Sequence, residues 1–123
     1  MTTTANIPAD GEPPFYAGTT HPIWGVITQA GSPMDISDAS IVWILAADAD
    51  TTPLLVKTTD DDTQIALTDP TGGVFIIYLN PDDTATLGGT VYYHEARAAI
   101  GDTQEVVFAG TLTITQSDTA GLL

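Results

Sequence analysis

Two histidines, His21 and His94, are the side chains of this sequence that could move a proton near neutral pH. His94 lies in Tyr92-Tyr93-His94-Glu95, where strand alternation puts Tyr92 and His94 on one face and Tyr93 and Glu95 on the other. His21 precedes Pro22, near the start of the patterned region. A metal or acid–base centre needs converging partners, and neither histidine sits in an H-x-x-x-H or similar spacing. Both are expected in ordinary sheet-surface or rim packing. The serines, Ser32, Ser37, Ser40 and Ser117, fall in turns or at strand ends, and none occupies a G-x-S-x-G elbow. The expectation is a protein without enzymatic activity, with no catalytic residue and no cofactor.

Carboxylates cluster at Asp48/Asp50, Asp60-Asp61-Asp62 and Asp82-Asp83. Loop carboxylates at one end of a sandwich can hold Ca²⁺, but no D-x-[DN]-x-[DN]-G loop with a closing Glu occurs. Asp-rich turns are also what turn chemistry alone produces, so no metal ligand is assigned. The pairs Gly72-Gly73 and Gly88-Gly89 precede neither a helix nor a Lys and read as turns needing positive φ. Trp24 and Trp43 could form a sugar-stacking platform, although the apolar neighbours of Trp43 place it in the core between sheets. Lys57 and Arg97, the two cations, could each be buried against a carboxylate or sit at an interface.

The elements that position these residues are short β-patterned runs between turns. Runs 23–28, 41–46, 54–59, 65–67, 74–79, 91–99 and 105–115 are rich in β-branched and aromatic residues, and Gly, Pro and Asp punctuate them. Residues 84–87 are expected to form one helical turn. Run 41–46 is apolar on both faces, which predicts a central strand. Seven strands with short connections and almost no helix predict an all-β, antiparallel Greek-key β-sandwich. Three segments follow: an extended N-terminal arm over 1–14, the sandwich over 15–115, and a C-terminal tail over 116–123.

Composition narrows the function. At 123 residues with 43% hydrophobic content the chain forms one domain with one core. Without cysteine it has neither disulfides nor thiolate metal sites. Sixteen acids against two cations give −14, which repels nucleic acid and anionic lipid. The same charge confers solubility, or draws the chain to a basic partner or to cations. No apolar run approaches the ~20 residues of a membrane span. Met1–Asn6 has neither a basic start nor an apolar stretch, so no secretory leader is expected.

Phe15-Tyr16-Ala17-Gly18-Thr19-Thr20, followed by Gly31-Ser32-Pro33-Met34-Asp35-Ile36-Ser37-Asp38-Ala39-Ser40-Ile41-Val42-Trp43, has the order of a module common in tailed phages. Asp69-Pro70-Thr71-Gly72-Gly73-Val74-Phe75-Ile76-Ile77-Tyr78-Leu79 and Thr84-Ala85-Thr86-Leu87-Gly88-Gly89-Thr90-Val91-Tyr92-Tyr93-His94-Glu95 continue it. Over residues 15–115 the chain resembles the immunoglobulin-like domain of tailed-phage virion proteins, as at the N-terminus of the phage baseplate upper protein family. The resemblance implies an assembly role in the virion, put together in the host cytoplasm. A capsid decoration (cement) protein is expected, binding the phage major capsid protein or other virion proteins as a homo-oligomer or in many copies. The alternatives are a tail, neck or baseplate adaptor and a carbohydrate-binding module. Phe15, Tyr16, Leu122 and Leu123 are the expected partner-binding anchors.

Overall fold

The structure, a computed structural model, describes residues 2–5, 15–119 and 122. Its strands are β1 (Thr2–Ala5), β2 (Phe15–Tyr16), β3 (Ile23–Gln29), β4 (Ser32–Pro33) and β5 (Ser40–Ala46). They continue as β6 (Leu55–Thr58), β7 (Ile65–Asp69), β8 (Val74–Ile77), β9 (Thr90–Ile100) and β10 (Thr103–Thr115). One sheet has the order β1-β3-β8-β7, with β4 also on β3; the other runs β2-β10-β9-β5-β6. The two pack face to face as an all-β sandwich.

Period-two alternation builds the core. Ile23 and Ile27 of β3, Ile41, Trp43 and Leu45 of β5, and Leu112 and Ile114 of β10 all face inward and are buried. Each large apolar side chain so buried contributes about 1.5–3 kcal/mol of transfer free energy. Gly25 faces Phe75 across the β3–β8 pair, and a Cβ there would lie 2.6 Å from the Phe75 ring, so the ring fills the space a side chain would take. The second glycine of each Gly-Gly pair adopts the left-handed conformation, Gly73 at φ 75° and Gly89 at φ 87°.

Every strand pair is antiparallel except β2–β10, where Phe15 and Tyr16 run parallel to Ile114 and Thr115. That pair departs from the wholly antiparallel expectation. The helical turn also shifts, to Pro81–Thr84 rather than 84–87. Pro81 at the first helical position and Asp82 and Asp83 in the first turn favour starting there, and the Asp83 carboxylate accepts from the Asn80 backbone N–H at 2.8 Å. Of the arm expected over 1–14, Thr2–Ala5 pairs antiparallel with β3, in register from Thr2 with Thr28 to Ala5 with Gly25. The remainder of that arm lies outside the described residues.

Candidate functional site

The groups with chemical potential divide between the interior and the surface. His94 is not a sheet-surface or rim residue: it is 1% exposed, on the inner face of β9. Trp43 on the neighbouring strand β5 donates its indole N–H to His94 Nδ1 at 3.2 Å, and the ring of Phe108 stands 5.4 Å away by centroids. Nδ1 must therefore be the unprotonated nitrogen. Burial pushes the imidazole down from 6.5 to about 4, which keeps it neutral at physiological pH. His21 stacks on Phe15 at a centroid distance of 4.1 Å, and burial lowers its pKa as well. Each ring is engaged by an aromatic neighbour, and the two histidines do not form a common site.

Lys57 resolves the alternatives left open for it. Its neighbours on β6 alternate outward, while Lys57 faces inward and meets Asp83 of the helical turn at 2.9 Å. The ammonium stem is buried and the carboxylate is largely so, which ties an edge strand to the connection between the two sheets. This is the one ion pair among the described residues.

The acidic turns are organised by their own backbones. Asp35 accepts from the backbone N–H and hydroxyl of Ser37, and Asp61 from those of Thr63. Those hydroxyl and backbone donors hold both carboxyls below their usual range. Asp48 likewise accepts from the Asp50 N–H at 3.0 Å. These are Asx-type turns in which a short acidic side chain mimics a further turn of backbone. Among the described residues, no three His, Asp or Glu side chains converge to hold an ion.

The expected anchors separate. Phe15, expected as a partner-binding anchor, is instead fully buried in the core against His21, because the short β2 turns this ring into the sandwich. Tyr16, its neighbour, points outward at 45% exposure, and Leu122 is 74% exposed. Leu123 lies outside the described residues. Trp24 is on the outer face of β3 whereas Tyr92 is buried, donating its hydroxyl to the Leu87 carbonyl at 2.7 Å. A sugar platform built from both rings on one exposed surface is absent from this arrangement.

The surface feature not foreseen from sequence is the outer face of the β10-β9-β5-β6 sheet. Cross-strand register aligns Thr58, Val42, Arg97 and Val106 in one row, and Val56, Ile44, Glu95 and Ala109 in the next. Val42 is 40% exposed and Val56 50%, with Arg97 among them at the surface. Glu95 accepts from the Tyr93 hydroxyl at 2.6 Å, a bond that raises the Tyr93 pKa. The signal is present in 41–46, whose two apolar faces predict a central strand. β5 does lie between β9 and β6, yet its second face is open.

The class defined by these observations is an all-β sandwich of two packed sheets. No protein-family model matches the chain, and no match was found among curated proteins. Among the described residues, no helix is long and apolar enough to cross a membrane.

Proposed function

We propose that this chain is a non-enzymatic, immunoglobulin-like structural protein of a tailed-phage virion, acting as a capsid decoration protein that bridges neighbouring capsid subunits. The observation that carries the fold part of this reading is the corner at Tyr92. In immunoglobulin-type domains a Tyr near the start of the penultimate strand bonds back to the chain a few residues upstream, two residues before a core cysteine, and a buried Trp from a strand of the same sheet packs there. Here Tyr92 bonds to Leu87, His94 stands two residues on, and Trp43 packs against it. The strand order, with β2 running parallel beside β10, supports the same architecture.

The virion part rests on the sequence resemblance over residues 15–115 and on how the ends are used. Thr2–Ala5 adds to a sheet edge by backbone pairing, the mode by which a terminal segment can also join a neighbour's sheet. Tyr16 and Leu122 offer apolar contacts at the surface. With −14 per chain, the partner surface is basic and the contact weakens with salt. A cryo-electron reconstruction of phage particles that carry this protein tests the reading. Density over the junctions between capsid subunits is expected. Density confined to the neck, tail or baseplate makes it an adaptor, and absence from the particle overturns the virion role.

A further inference from the structure

We propose that the outer face of the β10-β9-β5-β6 sheet is a self-association surface, on which a second copy of this chain docks about a two-fold axis so that Arg97 of each copy meets Glu95 of the other. The face is apolar, while most of the described acids gather in turns and near strand ends. Val42, Ile44, Val56 and Val106 surround Arg97 and Glu95 in two adjacent rows of the sheet. Among the described residues no element packs over Val42, Val56 or Val106, which are 40%, 50% and 46% exposed. Exposed valines clustered on one sheet face form a surface that water disfavours.

Charge selects the occupant. Among the described acids, Glu95 alone stands on this face, and the others lie in turns, in the helical turn, or near strand ends. Arg97 is the only cation on the face, and among the described residues it has no ionic partner. Among the described residues the face is thus neutral, with one charge of each sign, in a chain of −14. A basic partner would find its complement at the acidic turns, and nucleic acid is repelled by the whole. A second copy, by contrast, presents the same valines and the same two charges in matching positions.

The geometry closes as an isologous pair. Glu95 and Arg97 are two residues apart on β9 and lie on the same face, about 7 Å from each other along the strand. A two-fold axis lying in the interface above Ala96, perpendicular to β9, places Arg97 of each copy over Glu95 of the other, so one contact between copies creates two reciprocal Arg97–Glu95 pairs. The valine rows then cover each other on either side. Nothing in this inference depends on the virion reading, since the surface acts in the isolated protein.

Sedimentation velocity of the full chain over a rising concentration series, at physiological ionic strength, tests the proposal. The expected result is a shift from monomer to dimer as concentration rises. Arg97→Glu should return the protein to monomer by opposing two acids across the axis. Glu95→Arg should do the same by opposing two arginines. Mixing the two variants should restore a dimer, because one copy then carries two acids and the other two cations at the facing positions. Val56→Asp, away from β9, should also weaken the association at least tenfold, and circular dichroism confirms that each variant is folded. A wild-type chain that stays monomeric up to about 1 mM, a weak-binding limit, overturns the proposal and leaves the face to a different protein. A dimer that survives Arg97→Glu, or single variants that fail to pair with each other, overturns this surface.

Discussion

The two faces of the β10-β9-β5-β6 sheet treat polar groups in opposite ways. On the inner face, Trp43 bonds to His94 and Lys57 pairs with Asp83, so these buried polar groups meet partners within the chain itself. On the outer face, Arg97 stands among exposed valines without an ionic partner among the described residues. The difference follows from the cost of burial. An unpaired charge in a core costs several kcal/mol, whereas one at a surface costs little and remains free for a partner. The inner face is therefore specified for stability and the outer face for contact.

The largest test of that contrast removes one member of the interior ion pair. Asp83→Ala leaves the Lys57 ammonium buried without a counter-charge and removes the acceptor of the Asn80 N–H. A loss of about 3 kcal/mol or more is expected in chemical denaturation. The double substitution Lys57→Met/Asp83→Ala should recover most of that loss, because no charge is then stranded. A double variant as unstable as the single one would show that the pair matters through packing rather than charge.

The burial of His94 beside Trp43 makes a pH prediction of similar size. The folded imidazole titrates at about 4 and the unfolded one near 6.5, so the unfolded chain takes up a proton first as pH falls. Stability from this group is complete above pH 6.5 and declines by about 3 kcal/mol as pH drops to about 4. His21, also lowered by burial, acts in the same direction. Asp35 and Asp61, both held below 3.8, contribute stability that is lost only at more acid pH, so the histidine window is distinct. Urea midpoints between pH 7 and 4 should fall steeply for the wild type and more gently for His94→Asn, whose amide oxygen can still accept from Trp43. Equal slopes in the two proteins would remove His94 as the cause.

Much of this architecture was legible because strands and turns are local. The seven expected runs all appear as strands, since their β-branched alternation and their Gly, Pro and Asp boundaries act within a few residues. Trp43 was placed in the core from its apolar neighbours, and it lies there. The two-residue β2 and β4 escaped notice because so short a strand carries no periodicity, and β2 depends on the distant Ile114 and Thr115 for pairing. The same dependence on distant partners hid the burial of Phe15 and His94. Alternation assigned His94 to a face with Tyr92, but only the neighbouring strands decide which face is inside. For Lys57 the partner is 26 residues away in a turn, beyond any local signal.

The smallest expected effect sharpens the contrast most, because it asks whether the outer face contributes anything to the fold. Val42→Thr and Val56→Thr keep the branched side chain that suits a strand and replace one methyl by a hydroxyl that water can reach. Measured in dilute solution, each should change stability by less than about 0.5 kcal/mol, as surface substitutions do. A hydroxyl at a buried position would instead cost about 1–3 kcal/mol for its lost hydration. A loss in that range at Val42 or Val56 would mean that part of the chain itself seals this face, and the two faces of the sheet would then serve one core. A null effect at both positions, with weaker association at high concentration, would assign the valines to contact between molecules.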